Sequence, residues 1–477
     1  MSTAGEFMQE VGPLKRGLEI LEVVGRAGGP LRPADLVAEC GLARSTVDRV
    51  LSTLTETGCL RWQGRDVVAT PQAMDVGNLY LSGLDPEGLL AARVARLADE
   101  LGETVLLGVP DRDGVRVVSQ SRPGGSLAIA VRVGDLLPTG PSLDDEFIEP
   151  GLVAVATPVR AAVGPLVLVV VGHAAASLRE RVRPPVAACV ADLERIPARP
   201  SPPNGYRAAG ENGDVKARLG ARFLQSLDRG LAVLHAIGTR AEGLTISEAA
   251  AAAGQARATA RRALLSLTAL GYARESEGRF ALLPRVLDLG YRQVSGLTFE
   301  ELARPHLRDL VLRVHDSASV VVLDGTDIRY VARAQASRLM RVEITVGTRF
   351  PAYATAMGRV LLAELPSAEA SELIARSDRR AFTGRTMTGA GELERAVAVA
   401  RDDGYAVVDQ ELEMGLRSIA VPIHAAGRTV AALNIAAPAA PEPVEAMRER
   451  LLPELRATAR DLEADVAAFT RHQPLPL

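Results

Sequence analysis

The sequence predicts an α+β protein made of two copies of one unit. Each copy has three helices, a β-hairpin, a linker helix and an α/β domain, and the first α/β domain is truncated. A shift of 213 residues aligns 15–83 with 228–296 without a gap and gives 22 identities in 69 positions. The later match of 149–158 with 413–422 needs a shift of 264, so the first copy lacks 51 residues near 139–143. The length of 477 residues, 47% of them hydrophobic, is enough for several folded domains.

The composition excludes several classes of protein. Three cysteines, Cys40, Cys59 and Cys189, form no CxxC pair, which excludes a disulfide-rich scaffold and a zinc ribbon. The N-terminus lacks the basic and then apolar pattern of a signal peptide. The most apolar stretch, 163–172, contains Pro165 and is too short to span a bilayer. We therefore expect a soluble, cytoplasmic protein that does not bind a membrane.

The first part of each copy has the pattern of a winged helix-turn-helix domain, since its second and third helices are joined tightly through a glycine. The second copy is predicted to contain a helix over 227–239, a helix capped by Thr245 or Ser247 that ends at Ala253, a break at Gly254, a helix over 256–270 and a hairpin over 272–283. The first copy repeats this order with helices over 18–24, 33–38 and 43–57, a turn at Gly41 and a hairpin over 60–69.

A mostly apolar helix is predicted after each hairpin, over Pro71–Ser82 and over Pro284–Ser295, with proline at a favourable first position. It can pack inside its own domain. It can also connect two domains and pair with a partner helix, as DNA-binding modules need in order to read two half-sites. The sequence leaves both alternatives open.

The third helix is the candidate surface for nucleic acid. Such a helix enters the major groove, where the arginine fork suits guanine edges and phosphates and threonine can serve either. Residues 222–285 carry a net charge of +4 and 15–70 carry +1, although the whole chain carries -3. A solvated helix face is the alternative, but duplication of the module favours binding to double-stranded DNA. The candidate DNA contacts are Arg44, Ser45, Thr46, Arg49, Arg65, Arg257, Thr259, Arg261, Arg262 and Arg279.

Both copies contain R-G-L-x-x-L and then G-x-A-R-x-T-x-x-R-x-L-x-x-L-x-x-x-G, a pattern that resembles the DNA-binding domain of the IclR family of bacterial transcription regulators. The second copy also resembles that family's effector domain at 351–366, 382–388, 404–422 and 430–438. The sequence of the second copy is most similar to that of the family branch that regulates aromatic-acid catabolism through the β-ketoadipate pathway. The resemblance implies a curved antiparallel sheet around a small-molecule pocket and dimerisation through the DNA-binding domains.

The resulting domain plan has eight segments. They are a disordered N-terminus (1–14), winged helix-turn-helix 1 (15–70), linker helices (71–100), a truncated effector-like lobe (101–196), a flexible linker (197–214), winged helix-turn-helix 2 (222–283), a linker helix (284–298) and a complete effector-binding domain (299–470). In the last segment, strands are predicted over 319–323, 328–332, 341–346, 405–409, 418–423 and 429–435, and helices over 354–364 and 392–403.

The second effector domain is the expected ligand site. A carboxylate is favoured at the start of the helix after Thr355, where backbone N–H groups are free. By their positions in the family motifs, the implied effector contacts are Thr355, Ala356, Met357, Asp409, Glu411, Ser418 and Asn434. A solvated turn for the acidic residues, and internal hydrogen bonds for Ser418 and Asn434, are the alternatives. The first lobe lacks the corresponding helices, so we expect it to bind no ligand and to serve as a scaffold or dimer surface.

These patterns predict a regulator that binds a DNA operator and responds to a small aromatic or keto carboxylic acid, working as a homo-oligomer, most simply a dimer. The alternative is a constitutive DNA-binding protein whose effector domain stays empty. The six histidines form no HxxH or HExxH pair, and G-x-S-x-G, Walker A and Rossmann fingerprints are missing. We therefore expect no enzymatic activity, no metal and no cofactor.

Overall fold

The computed structural model describes residues 12–27, 29–123, 131–138, 152–173, 178–198, 220–336, 344–439, 442–473 and 475. The chain forms two compact units, Met1–Gly296 and Leu297–Leu477, each of which combines helices with antiparallel sheet. The predicted α+β class is confirmed. Within the described ranges, no helix is both long and apolar enough to cross a membrane.

The first winged domain contains α1 (Gly12–Arg26), α2 (Pro33–Cys40), α3 (Arg44–Glu56), β1 (Leu60–Gln63) and β2 (Asp66–Ala69). The prediction that disorder extends to residue 14 is wrong at its end, because α1 already begins at Gly12 and the side chain of Leu14 is fully buried. The contact that buries Leu14 is made with the second copy, so a local sequence pattern could not show it. Residues 1–11 lie outside the described ranges.

The first connector and lobe follow. They consist of a 3₁₀ turn (Pro71–Met74), α4 (Asp75–Leu84), α5 (Leu89–Leu101), β3 (Thr104–Asp111), β4 (Gly114–Ser121), β5 (Leu136–Leu137), β6 (Leu152–Ala161), β7 (Gly164–His173) and α6 (Leu178–Arg195). The five strands form an antiparallel sheet in the order β5-β4-β3-β7-β6. The site of the predicted deletion, 139–143, and the predicted linker after its first two residues lie outside the described ranges.

The second winged domain and its connector complete the first unit. Its elements are α7 (Gln225–Gly238), β8 (Leu244–Thr245), α8 (Ile246–Ala252), α9 (Arg257–Ala269), β9 (Ala273–Ser276), β10 (Arg279–Leu282), a 3₁₀ helix (Pro284–Asp288) and α10 (Tyr291–Val294). Of the two possible caps for α8, Thr245 is the one used: its side chain accepts a hydrogen bond from the Glu248 amide.

The expectation of one continuous helix over Pro284–Ser295 is wrong. The chain breaks at Gly290, whose φ of 103° is in the left-handed region that favours glycine. A Cβ at this position would lie 2.7 Å from the Cβ of Ala73. Close packing against the first connector therefore accompanies the break. In the first copy, α4 runs through Gly77 as a regular helix.

The second unit holds one six-stranded antiparallel sheet in the order β13-β12-β11-β16-β15-β14. Its elements are α11 (Phe299–Val314), β11 (Ser317–Asp324), β12 (Asp327–Ala334), β13 (Arg349–Pro351), α12 (Ala356–Ala363), α13 (Ser367–Arg376), α14 (Ala390–Asp403), β14 (Ala406–Asp409), β15 (Leu416–Ala425), β16 (Arg428–Pro438) and α15 (Val444–Thr470). The same order without β14 describes the first lobe. α11, α13 and α15 were not predicted.

The sheet of the second unit separates two apolar cores. Alternate residues of β15 and β16, such as Ile419 and Leu433, face the core that contains residues of α11 and α15. The residues between them, such as Ala420 and Ala432, face the core that contains residues of α12, α13 and α14. This second face is the one that carries the candidate ligand site.

The strand predicted over 341–346 is absent from the described part of that range, 344–346. Residues 341–343 lie outside the described ranges, and 344–346 lead into a turn. Gly347 takes a φ of 91° and its amide donates to the Tyr330 carbonyl, while Thr348 accepts from the Tyr330 amide. This turn satisfies the backbone groups locally, and the edge strand starts three residues later at Arg349.

Candidate functional site

Both third helices begin after a turn that needs glycine. Gly41 and Gly254 have φ values of 64° and 61°, and the residues that precede α3 and α9, Ala43 and Ala256, are extended. The chain therefore reverses sharply and projects the N-terminal halves of α3 and α9 away from the three-helix core.

The candidate DNA contacts fall into two groups by exposure. The side chains of Thr46, Thr259 and Arg279 are half-buried. The exposed members are Arg44, Ser45, Arg49, Arg65, Arg257, Arg261 and Arg262. Among the described residues, none of these five helix arginines or of Arg65 has an acidic partner. Their guanidinium groups are therefore available to phosphates and base edges.

Arg279 is placed differently from the other candidates. Its Nη1 donates to the Gly243 carbonyl at 3.1 Å and lies 3.2 Å from Oε2 of Glu248. The hydrogen bonds from the backbone and side chain of Thr245 to Glu248, with the charge of Arg279, lower the pKa of that carboxyl. The second wing thus uses this arginine to hold the start of α8.

One basic groove runs between the two third helices. Thr46 and Arg49 of α3 line it from one side, and Thr259 and Arg262 of α9 line it from the other. Arg16 and Arg229, which are equivalent under the 213-residue shift, complete it, and its described lining contains no acidic residue. A groove of about 480 Å³ with four guanidinium groups favours polyanions such as a nucleic-acid backbone.

The candidate ligand site begins at α12. Thr355 is 2% exposed, and its Oγ1 accepts a hydrogen bond from the Gly358 amide at 3.0 Å. Ala356 and Met357 occupy the first two helical positions, where amide groups have no partner inside the helix. Both belong to the apolar core on this face of the sheet.

Asn434 lies on the face of β16 that is turned toward α12, and it is paired with Ser319 of β11 and Ala420 of β15. It is 1% exposed, and its Oδ1 finds no hydrogen-bond donor among the described residues. A buried acceptor without a donor costs about 1–3 kcal/mol. Ser418, two residues before Ala420 on β15, lies on the same face and is half-buried.

The carboxylate of Glu411 already has hydrogen-bond donors within the protein. Its Oε2 accepts from Arg359 Nη2 at 2.6 Å and from the Met387 amide at 3.0 Å, and both side chains of the ion pair are almost fully buried. Arg359 also donates from Nε to the Tyr353 carbonyl. Thr386 donates to the Glu411 carbonyl and so holds the 382–388 loop over this pair.

Asp409 lies at the edge of the site and is partly exposed. It accepts from Arg417 Nε at 2.9 Å and from Arg385 Nη1 at 2.6 Å. Partial burial raises the pKa of Asp409, but the hydrogen bond from Arg417 and the charges of both guanidinium groups lower it below its ordinary 3.8. The residue ties β14 to β15 and to the 382–388 loop.

Arg359 is the residue that sequence reasoning missed. It lies in the apolar run that forms α12, 3% exposed, and within the described ranges its Nη1 has no hydrogen-bond partner. An arginine inside an otherwise apolar helix is a signal that composition alone could have shown, since charged residues are rarely fully buried unless paired. Its carboxylate partner lies 52 residues away and could not be identified from the sequence.

Comparison with known proteins matches three parts of the chain. The profile of the IclR helix-turn-helix domain matches twice, at 13–64 and 226–277. The profile described as "Bacterial transcriptional regulator IclR C-terminal" matches 292–464. The second copy of the repeat is therefore matched in both of its parts.

Named relatives are similar to about half of this chain. The Pca regulon regulatory protein of Pseudomonas putida is 41% identical over 242 residues, which are 50% of this chain and 83% of that protein. The p-hydroxybenzoate hydroxylase transcriptional activator of Acinetobacter baylyi is 31% identical over 246 residues, 50% of this chain and 91% of that protein. A solved transcriptional regulator from Rhodococcus sp. RHA1 is 50% identical, with a TM-score of 0.50, and covers 52% of this chain and 99% of that one.

Proposed function

This chain belongs to the IclR family of bacterial transcriptional regulators, and from that premise we propose that it is a ligand-responsive regulator. Its two winged helix-turn-helix domains bind an operator in double-stranded DNA, and a small carboxylic acid binds in the α/β domain predicted over 299–470. The ligand part rests on one observation: within the described part of the chain, Asn434 Oδ1 is buried without a donor on the sheet face that packs with the start of α12.

Support for DNA binding comes from the exposed arginines of α3 and α9. Arg257, Arg261 and Arg262 occupy the first two turns of α9, and Arg44 and Arg49 occupy the same turns of α3. Neutralising phosphates releases counterions, so affinity falls as salt rises. Threonine and arginine at these positions can also read base edges in the major groove.

The proposed ligand is a carboxylic acid with a second polar group. Its carboxylate is received by the first amide groups of α12, at Ala356 and Met357, and by Nη1 of Arg359, which has no partner among the residues that the structure describes. Its hydroxyl group donates to Asn434 Oδ1. Glu411 neutralises Arg359 and fixes its direction. The ligand shifts an existing equilibrium between two states of different operator affinity.

We propose an aromatic hydroxy acid as the ligand class. The apolar residues of the same core, such as Val321 and Tyr330, provide surface for a ring. The names of two relatives point the same way, since one is an activator of p-hydroxybenzoate hydroxylase and another controls a Pca regulon. A keto acid would share the carboxylate contact but would offer no hydroxyl donor to Asn434.

The ligand proposal is tested by calorimetric titration of the full chain with 4-hydroxybenzoate, benzoate and a keto acid. We expect 4-hydroxybenzoate to bind most tightly. The variant Asn434→Leu should lose most of the preference for 4-hydroxybenzoate over benzoate, about tenfold for one buried hydrogen bond, while benzoate affinity changes little. Equal loss for both acids would contradict the hydroxyl contact.

A uniform absence of binding and of thermal stabilisation by these acids would favour the constitutive regulator instead. The observation that fits that second function is the buried ion pair between Arg359 and Glu411, which already neutralises the charge of Arg359 without a ligand. Footprinting of the full chain on its own upstream DNA separates the two, because a constitutive regulator gives the same footprint with and without each acid.

A further inference from the structure

We propose that the two winged domains of one chain form an internal pseudo-dimer that reads a single operator whose two halves differ in sequence, with one chain bound at each operator. The inference rests on the proposed DNA binding and adds the geometry and asymmetry of the target.

The contact between α1 and α7 is reciprocal. A Cβ on Gly230 would lie 2.6 Å from Leu14 Cδ1, and a Cβ on Gly17 would lie 2.3 Å from Leu227 Cδ1. The 213-residue shift converts Leu14 into Leu227 and Gly17 into Gly230. Each leucine therefore fills the space above the glycine of the other copy. This is the pattern of a twofold interface, made here inside one polypeptide.

The two connectors meet on the pseudo-twofold axis that relates α1 to α7. Tyr291 Oη donates to Asn78 Oδ1 at 3.2 Å, and these two residues are themselves related by the shift of 213. A residue that touches its own equivalent lies at the axis. The Cβ of a residue replacing Gly77 would lie 2.7 Å from the Tyr291 ring. Of the two alternatives for the connectors, the structure shows pairing between copies.

The pairing also contains contacts that exist in one direction alone. Glu22 Oε1 accepts from Tyr272 Oη at 2.6 Å and from Arg285 Nε at 2.9 Å. The reverse contact would join the equivalents of these residues, which carry different chemistry: His235, Cys59 and Gln72. Two first copies or two second copies cannot make this ion pair. The sequence therefore favours pairing between unlike domains, as within one chain.

The truncated lobe forms ion pairs with the second connector and so stabilises the pairing of the two winged domains. Arg116, on β4, is 6% exposed at its side chain and donates to both carboxylate oxygens of Asp288 in the second connector. Arg292 of α10 pairs with Asp135 of the lobe at 2.9 Å. Burial raises the pKa of Asp288, and the charge of and hydrogen bonds from Arg116 oppose that shift. These contacts of the described part of the lobe thus fix the second domain relative to the first.

The two third helices, α3 and α9, share several residues at equivalent positions and differ at others. Arginine and threonine recur at equivalent positions of α3 and α9, whereas Ser45 corresponds to Ala258 and Asp48 corresponds to Arg261. All four differing side chains are exposed. Aspartate accepts from cytosine N4 and repels phosphate, while arginine donates to guanine O6 and N7. The same base pairs cannot satisfy both helices equally.

The test starts by selecting sites for the full chain from random duplexes. From the selected site, three duplexes are made: the site itself with its left and right halves, and two palindromes that repeat either half. Because one wrong base pair costs about tenfold in affinity, we expect the selected site to bind at least about tenfold more tightly than either palindrome. At saturation, native mass spectrometry should give one chain per single-site duplex, whether or not the chain associates further.

The variant Ser45→Ala/Asp48→Arg converts the exposed face of α3 at these positions into that of α9. We expect its preference to move from the selected site to the palindrome of the half read by α9. Asp99→Arg, an equal charge change on an exposed position of α5, is the matched control and should keep the original preference.

The outcomes separate the two proposals. Failure to select any sequence would overturn DNA binding and with it the pseudo-dimer. Specific binding in which either palindrome equals the selected site, or in which two chains occupy one duplex, would overturn the pseudo-dimer and leave the regulator proposal intact.

Discussion

The reciprocal contact between Leu14 and Gly230 can be measured by a double-mutant cycle. Leu14 is fully buried, so Leu14→Ala should lower the free energy of unfolding by about 2–5 kcal/mol. In Gly230→Ala the new methyl group would lie 2.6 and 2.7 Å from the two Cδ atoms of Leu14. Overpacking costs about 1–3 kcal/mol, and the better helix propensity of alanine returns about 1 kcal/mol.

The double variant should be more stable than these two changes predict by simple addition. Once Leu14 is shortened, the methyl group of Gly230→Ala enters the vacated space and the propensity gain remains. We therefore expect Gly230→Ala to stabilise the Leu14→Ala protein by about 1 kcal/mol, a coupling of about 2 kcal/mol. The reciprocal pair, Leu227→Ala with Gly17→Ala, should behave in the same way.

Urea unfolding followed by tryptophan fluorescence is the assay. Trp62 is the single tryptophan of the chain and lies 47% exposed on β1, so its signal reports on the first unit. Gly83→Ala combined with Leu14→Ala is the control cycle, because a Cβ at Gly83 would meet Ala241 and not Leu14. Additive effects of Leu14→Ala and Gly230→Ala, within about 0.5 kcal/mol, would show that these two positions are not in contact and would refute the interface.

Three further predictions concern the reading helix and the ligand domain. Arg257→Ala and Arg262→Ala should each weaken operator binding and, where the contact is to phosphate, lower the salt slope by about 1; footprints that survive both changes together with alanine at the equivalent arginines of α3 would contradict the helix assignment. Arg359→Met should destabilise the second unit by about 3–5 kcal/mol in calorimetric unfolding, since Glu411 is left buried and unpaired, and adding Glu411→Gln should restore part of the loss. The lowered pKa of Asp409 contributes stability above its ordinary value of 3.8 that is lost as pH falls through the lowered pKa; Asp409→Asn should therefore flatten the acid side of the stability profile, and an unchanged profile would argue against the pair with Arg417.

Much of the fold could be predicted from local pattern. Helical periodicity, Gly41 and Gly254 at the turns, and proline after each hairpin specify the winged domains, because helices and tight turns depend on residues that are neighbours in sequence. The prediction was wrong where packing between residues distant in sequence determines the local structure. These places are Gly290, whose left-handed backbone lies against Ala73, and the start of α1.

The candidate sites divide in the same way. The exposed arginines of α3 and α9 follow from helix phase alone. The partners of Glu411, Asp409 and Arg279 do not, because their ion pairs join segments that are 8 to 52 residues apart. The assignment of these side chains as DNA or ligand contacts stays a prediction, now with internal partners named.

Residue order is enough to show that this protein repeats a helix-turn-helix module and a sheet domain, since a repeat and its periodicity are properties of residue order. The folded chain is needed to show that the two modules face each other, through Leu14 on Gly230, Leu227 on Gly17, and Glu22 on Arg285. These contacts join residues more than 200 positions apart. Their energy depends on shape and charge at surfaces that form only when both copies are folded.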